Sequence, residues 1–178
     1  MADSRDVNLW SIEAHALDYL RRADTIPHRR EGEAALLELI PARARTILDL
    51  GTGAGRLITL VRTVRRKAKF VALDFSPTMI GAMNSAFGND ADVKIVEHDF
   101  DQKLPRLGLF DAVISSFAIH HLKHERKHSL YQEIFEIIRS GGAFCNLEHV
   151  ASPTRHIHEK FLEAIGWPDE DPAGWKPV

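Results

Sequence analysis

From residue 45 onward the hydrophobic period of this chain switches back and forth between two values, and that switching restricts the fold more than any other feature. Short apolar or β-branched runs at 45–50 (RTILDL), 70–74 (FVALD), 93–98 (VKIVEH), 110–115 (FDAVIS) and 143–150 (AFCNLEHV) are bounded by Gly, Asp or Pro and read as strands. Between and after them, 54–66, 77–87, 124–139 and 155–165 carry helical spacing. Parallel neighbours need a crossover, and crossovers are right-handed and short. The pattern therefore predicts an α/β protein: a doubly wound, mostly parallel sheet of about five strands with helices on both faces.

Upstream, Leu9, Ile12, Ala16, Leu17 and Leu20 recur at helical spacing, as do Ala34, Leu37 and Ile40, with Pro27 between the two stripes. Residues 1–40 are expected to form an N-terminal helical unit, 41–165 the α/β domain, and 166–178 (GWPDEDPAGWKPV, three prolines) a flexible tail. At 178 residues a single domain is expected. With 23 basic and 25 acidic residues the net charge is −2, which offers no general attraction to a phosphate backbone or an anionic membrane, so neither is an expected partner. Cys145 is the only cysteine, which excludes an intrachain disulfide and a zinc cluster of thiolates. No stretch is as long and apolar as the roughly 18 residues a membrane span needs, and MADSRDVNLW has no hydrophobic leader core. A reducing cytoplasm is the expected setting.

In doubly wound sheets the ligand lies beyond the carboxyl ends of the strands. After the first strand comes Asp49-Leu50-Gly51-Thr52-Gly53-Ala54-Gly55, expected to open a helix at Ala54. Glycines there permit a tight turn and close backbone approach, and the helix start favours an anionic group. The spacing is not G-x-G-x-x-G, since Arg56 follows Gly55, which weakens a dinucleotide reading. Asp74 stands 23 residues beyond Gly51, where a carboxylate accepts both hydroxyls of a ribose. Ser76 with Pro77 reads as the cap of the next helix. Phe75 and Met79 offer apolar walls for a base, and Asp99 with Phe100 an acid and an aromatic for an exocyclic amine.

Together these segments resemble a class I S-adenosylmethionine-dependent methyltransferase of the small-molecule type. ILDLGTGAG is similar to that family's first motif, FVALDFSPTMI to its second, EHDF to its third, FDAVISSFAIHHL to its fourth and IIRSGGAFCNLEHV to its fifth, in order from about Arg45 to Val150. The resemblance implies a Rossmann-like fold, S-adenosylmethionine as cofactor and methyl transfer to a small-molecule acceptor. Residue by residue it implies that Asp49 helps hold the methionine amino end, backed by Gly51, Thr52 and Gly53. Asp74 would bind the ribose, Phe75 and Met79 would flank the adenine, and Asp99 with the Phe100 backbone would read its edge. Ser115 would line the wall near the sulfonium. The two N-terminal helices fit the family's lid, with His28 and Arg29 where a lid could meet the cofactor carboxylate, and with Trp10 and Tyr19 able to close over the pocket but read first as lid core.

Where the acceptor carries a proton, a general base contributes about 10²–10⁴-fold, and histidine titrates in the right range. His120, beyond the fourth strand, is the first candidate; His121 and His149 follow, and the alternative for His120 is a packing role at a helix start. Two departures from the family stand out. Ser115-Ser116-Phe117-Ala118 replaces the Asn/Asp-Pro-Pro-Tyr of enzymes that methylate amino groups of adenine or glutamine. The family usually adds two further strands, whereas 28 residues follow Val150 and read as a helix and a tail. The fifth strand would then be an edge, which invites a homodimer through it. An alternative function follows from the same shortness: a cofactor-binding protein with lost or partner-dependent turnover. His124-Glu125-Arg126-Lys127-His128 matches H-E-x-x-H, but on a solvent-facing crossover helix beside two cations it is not expected to hold a metal.

Overall fold

A computed structural model of the chain describes residues 8–148, 150 and 152–164. Five strands, β1 (Thr46–Leu50), β2 (Lys69–Asp74), β3 (Val93–Glu97), β4 (Phe110–Ser116) and β5 (Ile138–Leu147), form one sheet in the order β3-β2-β1-β4-β5, every pair parallel. The chain leaves β1 toward β2 on one side, and β4 joins its other side, so the order reverses at β1. The switch point falls between β1 and β4, where such sheets bind their ligands.

Period-two alternation sends side chains to opposite layers. Ile47, Phe70, Ala72, Ala112, Ile114 and Cys145 form one face, covered by α2 (Arg29–Leu39), α3 (Arg56–Val64) and Met83 of α4 (Pro77–Phe87). Leu48, Leu50, Leu73 and Val113 form the other, covered by Leu130 and Ile134 of α5 (His124–Ile137) and by Phe100 and Ile119. Each fully buried Leu or Ile contributes about 1.5–3 kcal/mol. Cys145 is a buried free thiol, and desolvation raises its pKa, so it is held as an inert core group.

Helix ends differ in detail from the sequence reading. The helix expected at Ala54 begins at Arg56, because Gly55 adopts φ 83° as its N-cap. Ser76 occupies the N-cap position of α4 with Pro77 at N1, yet its hydroxyl makes no capping bond. The fifth strand starts earlier than expected, at Ile138, directly out of α5 and without a loop. The expected helix ends at 139 and the expected strand begins at 143, which leaves Gly141 and Gly142 outside both elements. They instead absorb an irregularity inside the strand: pairing jumps between Phe110↔Ile138 and Ala112↔Ala143, with Gly141 at φ 78°.

The N-terminal segment expected to act as a lid comprises α1 (Glu13–Arg22) and α2, each entered through a short turn, and α2 also covers one face of the sheet. Of the α1 stripe, Ala16 is fully buried, but Leu9, Ile12 and Leu17 remain largely exposed, so this helix packs less deeply than its periodicity suggests. Among the described residues β5 is followed by α6 (Arg155–Ala164) and by no strand that pairs with it. The 166–178 segment and His149 lie outside the described residues. No helix among the described residues is long and apolar enough to cross a membrane.

Candidate functional site

The turn after β1 is built by hydrogen bonds to β2. The N–H groups of Gly51 and Thr52 donate to the Leu73 carbonyl at 2.9 and 3.1 Å, and Gly53 N–H donates to Asp74 Oδ2 at 2.8 Å. Asp74 Oδ1 accepts from Phe75 and Ser76 N–H at 2.8 and 2.9 Å. Burial nevertheless outweighs these three donors and raises the Asp74 pKa. Asp49 is buried beside it, and desolvation pushes its pKa up to about 7; Thr52 Oγ1 donates to it at 2.8 Å, and the neighbouring Asp74 charge adds to the rise.

The turn's glycines divide their duties. A Cβ on Gly51 would stand 2.3 Å from the Ala118 Cβ, so this position is closed by packing. A Cβ on Gly53 would find nothing nearer than Met79 Sδ at 3.9 Å, because Gly53 faces a cavity. That cavity lies over the switch point. Asp49, Gly51, Thr52, Gly53, Asp74, Phe75, Met79, Asp99 and Phe100 all line it, as residues 49–53, 74–79 and 99–100 come to one sheet end from three different strands.

Two expected residues sit elsewhere. Ser115 is 0% exposed and donates to the Leu50 carbonyl at 2.9 Å, so it faces the core layer of α5 rather than the cavity. Ser116, one residue on and on the opposite face, lines the cavity, and its buried hydroxyl has no hydrogen-bond partner. His120 stands behind the wall while His121 lines it, their rings 3.9 Å apart. Burial, then the His120 charge, depresses the His121 pKa to about 4, so this ring is neutral at physiological pH.

The opposite wall comes from the N-terminal segment. Trp10 and Tyr19 line the cavity instead of forming lid core; their rings meet edge-on at 5.1 Å, and Trp10 meets His121 at 5.4 Å. Arg29 also lines it, 5% exposed, its guanidinium 5.3 Å from the Phe117 ring centroid. His28, by contrast, is an exposed left-handed N-cap of α2 that does not line the cavity. Phe117 itself adopts φ 54°, a strained conformation for an aromatic residue that costs about 1–3 kcal/mol and persists because its N–H donates to the Leu147 carbonyl at 2.8 Å.

Two side chains to which the sequence assigned no role hold this frame. Glu148, just past β5, accepts the N–H groups of Ala118, Ile119 and His120 on Oε1 and contacts His120 Nδ1 through Oε2 at 2.6 Å. These bonds hold its carboxyl below the usual range although burial opposes them. Arg126, inside the H-E-x-x-H match, donates Nε to the Phe100 carbonyl and Nη2 to the Gln102 carbonyl, both at 2.8 Å, and pairs with Glu133. The motif thus anchors the loop after β3, and among the described residues no group of three or more His, Cys, Asp or Glu is placed to hold a metal.

A nucleoside linked to an amino-acid end fits these features. Gly53 leaves room for it, the Ser116 hydroxyl lacks a partner, and no cation among the described residues offsets the buried Asp49. The class this fold and site define is the Rossmann-like methyltransferase. Residues 47–142 match the model of the methyltransferase domain family. An uncharacterized methyltransferase of Mycobacterium tuberculosis is 27% identical over 156 residues, covering 82% of this chain and 76% of its own. The demethylmenaquinone methyltransferase of Thermus thermophilus is 30% identical over 126 residues, covering 70% of this chain and 55% of its own. The N-methyltransferase NodS of Bradyrhizobium japonicum, solved with S-adenosylhomocysteine, shares the fold with a TM-score of 0.65 at 19% identity, over 78% of this chain and 72% of that one. The chain belongs to the methyltransferase domain family, class I enzymes that take their methyl group from S-adenosylmethionine.

Proposed function

We propose that this chain transfers the methyl group of S-adenosylmethionine to a small-molecule acceptor held beneath the lid. One observation carries the reading: a single cavity runs from Gly53 and Asp74 at the sheet end to Trp10, Tyr19 and His121 at the lid. When bound, the cofactor supplies an electrophilic sulfonium methyl, so alignment is the protein's main task. Asp49 holds the ammonium end against Gly51, Thr52 and Gly53, and Arg29 takes the carboxylate. Asp74 receives the ribose, Phe75 and Met79 flank the adenine, and Asp99 reads its edge with the Phe100 N–H, since Arg126 already occupies the Phe100 carbonyl. Ser116 replaces Ser115 at the wall.

The aromatic lid wall and the neutral His121 suit an acceptor of low charge. For a hydroxyl acceptor the proposed base is His120, which stands behind the wall and takes the proton by way of the His121 ring that lines the cavity, with Glu148 2.6 Å from its Nδ1 orienting it. A reducing cytoplasm is the setting, and a second copy of this chain pairs with the unpaired edge of β5.

The test is S-adenosylhomocysteine release with a panel of phenols, amines and carboxylic acids and with a fractionated small-molecule extract. Turnover with any acceptor supports the proposal. Tight S-adenosylhomocysteine binding without release across all of them would leave a binding protein that lacks turnover. For a hydroxyl acceptor, His120→Gln lowers kcat/KM by about 10²-fold or more. An unchanged kcat/KM takes His120 out of the chemistry.

A further inference from the structure

The lid and the glycine turn share one buried carboxylate. Glu33 of α2 is 3% exposed and accepts Arg29 Nε on Oε1 at 2.8 Å, one turn earlier in the same helix. The same carboxylate accepts Arg56 Nε at 2.6 Å and Arg56 Nη2 at 2.9 Å. Arg56 is the first residue of α3, directly after Gly55, so its backbone belongs to the turn that faces the cofactor. Arg29 is the lid residue at the cavity wall.

The charges do not balance. Two guanidiniums meet one buried carboxylate; Asp24 also contacts Arg56, but its side chain is 83% exposed and largely screened. Arg29 spends Nε on Glu33 and Nη1 on the Tyr19 hydroxyl and the Ala23 carbonyl, each of the latter at 3.1 Å. A guanidinium this buried is tolerated only when paired, and half of a shared carboxylate leaves it short of full compensation. The deficit lies on the cavity side, where an incoming carboxylate makes it good. Without the Glu33 charge, the two arginines repel each other across the gap and Arg29 loses its aim.

We propose that Glu33 is a positioning residue: its carboxylate locks lid helix α2 to the cofactor turn and directs Arg29 at the amino-acid end of the ligand, so that α2 senses this end and not the nucleoside. The inference rests on the reading that Arg29 takes the cofactor carboxylate.

Calorimetric titration with two probes tests it: S-adenosylhomocysteine, and 5′-methylthioadenosine, which keeps the nucleoside and sulfur but has no amino-acid end. Glu33→Gln is expected to weaken S-adenosylhomocysteine about tenfold or more and to change 5′-methylthioadenosine less than about threefold. Added to Arg29→Met, it is expected to cost S-adenosylhomocysteine nothing further. Equal weakening of both probes means a merely structural role, and unchanged S-adenosylhomocysteine affinity means no role; either overturns the proposal. If Glu33→Gln does not fold, Glu33→Asp, which keeps the charge but not the reach, is expected to show the same selective loss. Arg29→Met leaving S-adenosylhomocysteine binding intact would instead overturn the reading of Arg29, a result separate from that of Glu33.

Discussion

Asp74 Oδ2, at the end of β2, accepts the backbone N–H of Gly53, in the turn that follows β1, at 2.8 Å. The acid read from sequence as a ribose ligand therefore also builds the turn. Asp74→Ala leaves three N–H groups without their acceptor, each costing about 1–3 kcal/mol if it stays buried. A loss of fold stability is expected along with the loss of S-adenosylhomocysteine affinity, both measured by urea unfolding with and without ligand. A variant with unchanged midpoint would mean that the turn does not depend on this carboxylate.

The raised Asp49 pKa, about 7, gives stability and binding opposite pH dependences. The folded state holds a proton that the unfolded chain, at its ordinary carboxyl value of 3.8, has released, so this group's contribution to stability falls as pH rises from about 4 to 7. On the role proposed for Asp49, ligand ammonium needs the ionised form, so S-adenosylhomocysteine affinity rises across the top of that window and beyond it, about tenfold from pH 6 to pH 8. Calorimetry across pH on the native chain and on Asp49→Asn checks this; the variant is expected to lose the slope.

Gly51 and Gly53 predict different failures. Gly51→Ala drives a methyl group to 2.3 Å from Ala118 and is expected not to give soluble folded protein. Gly53→Ala meets no atom within 3.9 Å and carries only the left-handed backbone cost of about 1–2 kcal/mol, yet its methyl group enters the cavity. Thermal melts and titration are expected to show a folded chain that binds S-adenosylhomocysteine at least tenfold more weakly.

Arg126 and Glu133 are both mostly buried and pair at 2.7 Å. Arg126→Met strands the Glu133 charge and frees the Phe100 and Gln102 carbonyls, with an expected cost of about 3 kcal/mol in urea unfolding. Adding Glu133→Gln is expected to return part of that loss, and full additivity would mean the two residues do not act as a pair.

Among the described residues β5 is the last strand of the sheet, and Phe135 of α5, the helix that runs directly into it, is 82% exposed. Sedimentation is expected to show a concentration-dependent dimer that Phe135→Lys weakens. A chain that stays monomeric up to its solubility limit removes the dimer proposal.

Much of the architecture was readable along the chain, because local physics writes it there. Period switching marks each strand and crossover helix, and parallel pairing with short crossovers leaves few ways to order them. Gly51, Gly53, Asp49 and Asp74 could be singled out because each stands at or just past a strand end, where this fold brings backbone and buried carboxylates together, and all four line the cavity. The misplacements have a common cause. Ser115 and Ser116 differ only in which side of the pleat they occupy, and that is set by the register of β4 against β1 and β5, not by either residue's chemistry. Glu148, Arg126 and Glu33 each act on backbone or guanidinium groups more than twenty residues away. Such pairings leave no periodic trace, since one polar side chain among surface-like neighbours looks the same whether it meets water or a buried partner. The place of the N-terminal segment was equally invisible: Trp10 and Tyr19 carry no periodic mark that separates core from cavity, and only the tertiary structure sets both on the cavity wall.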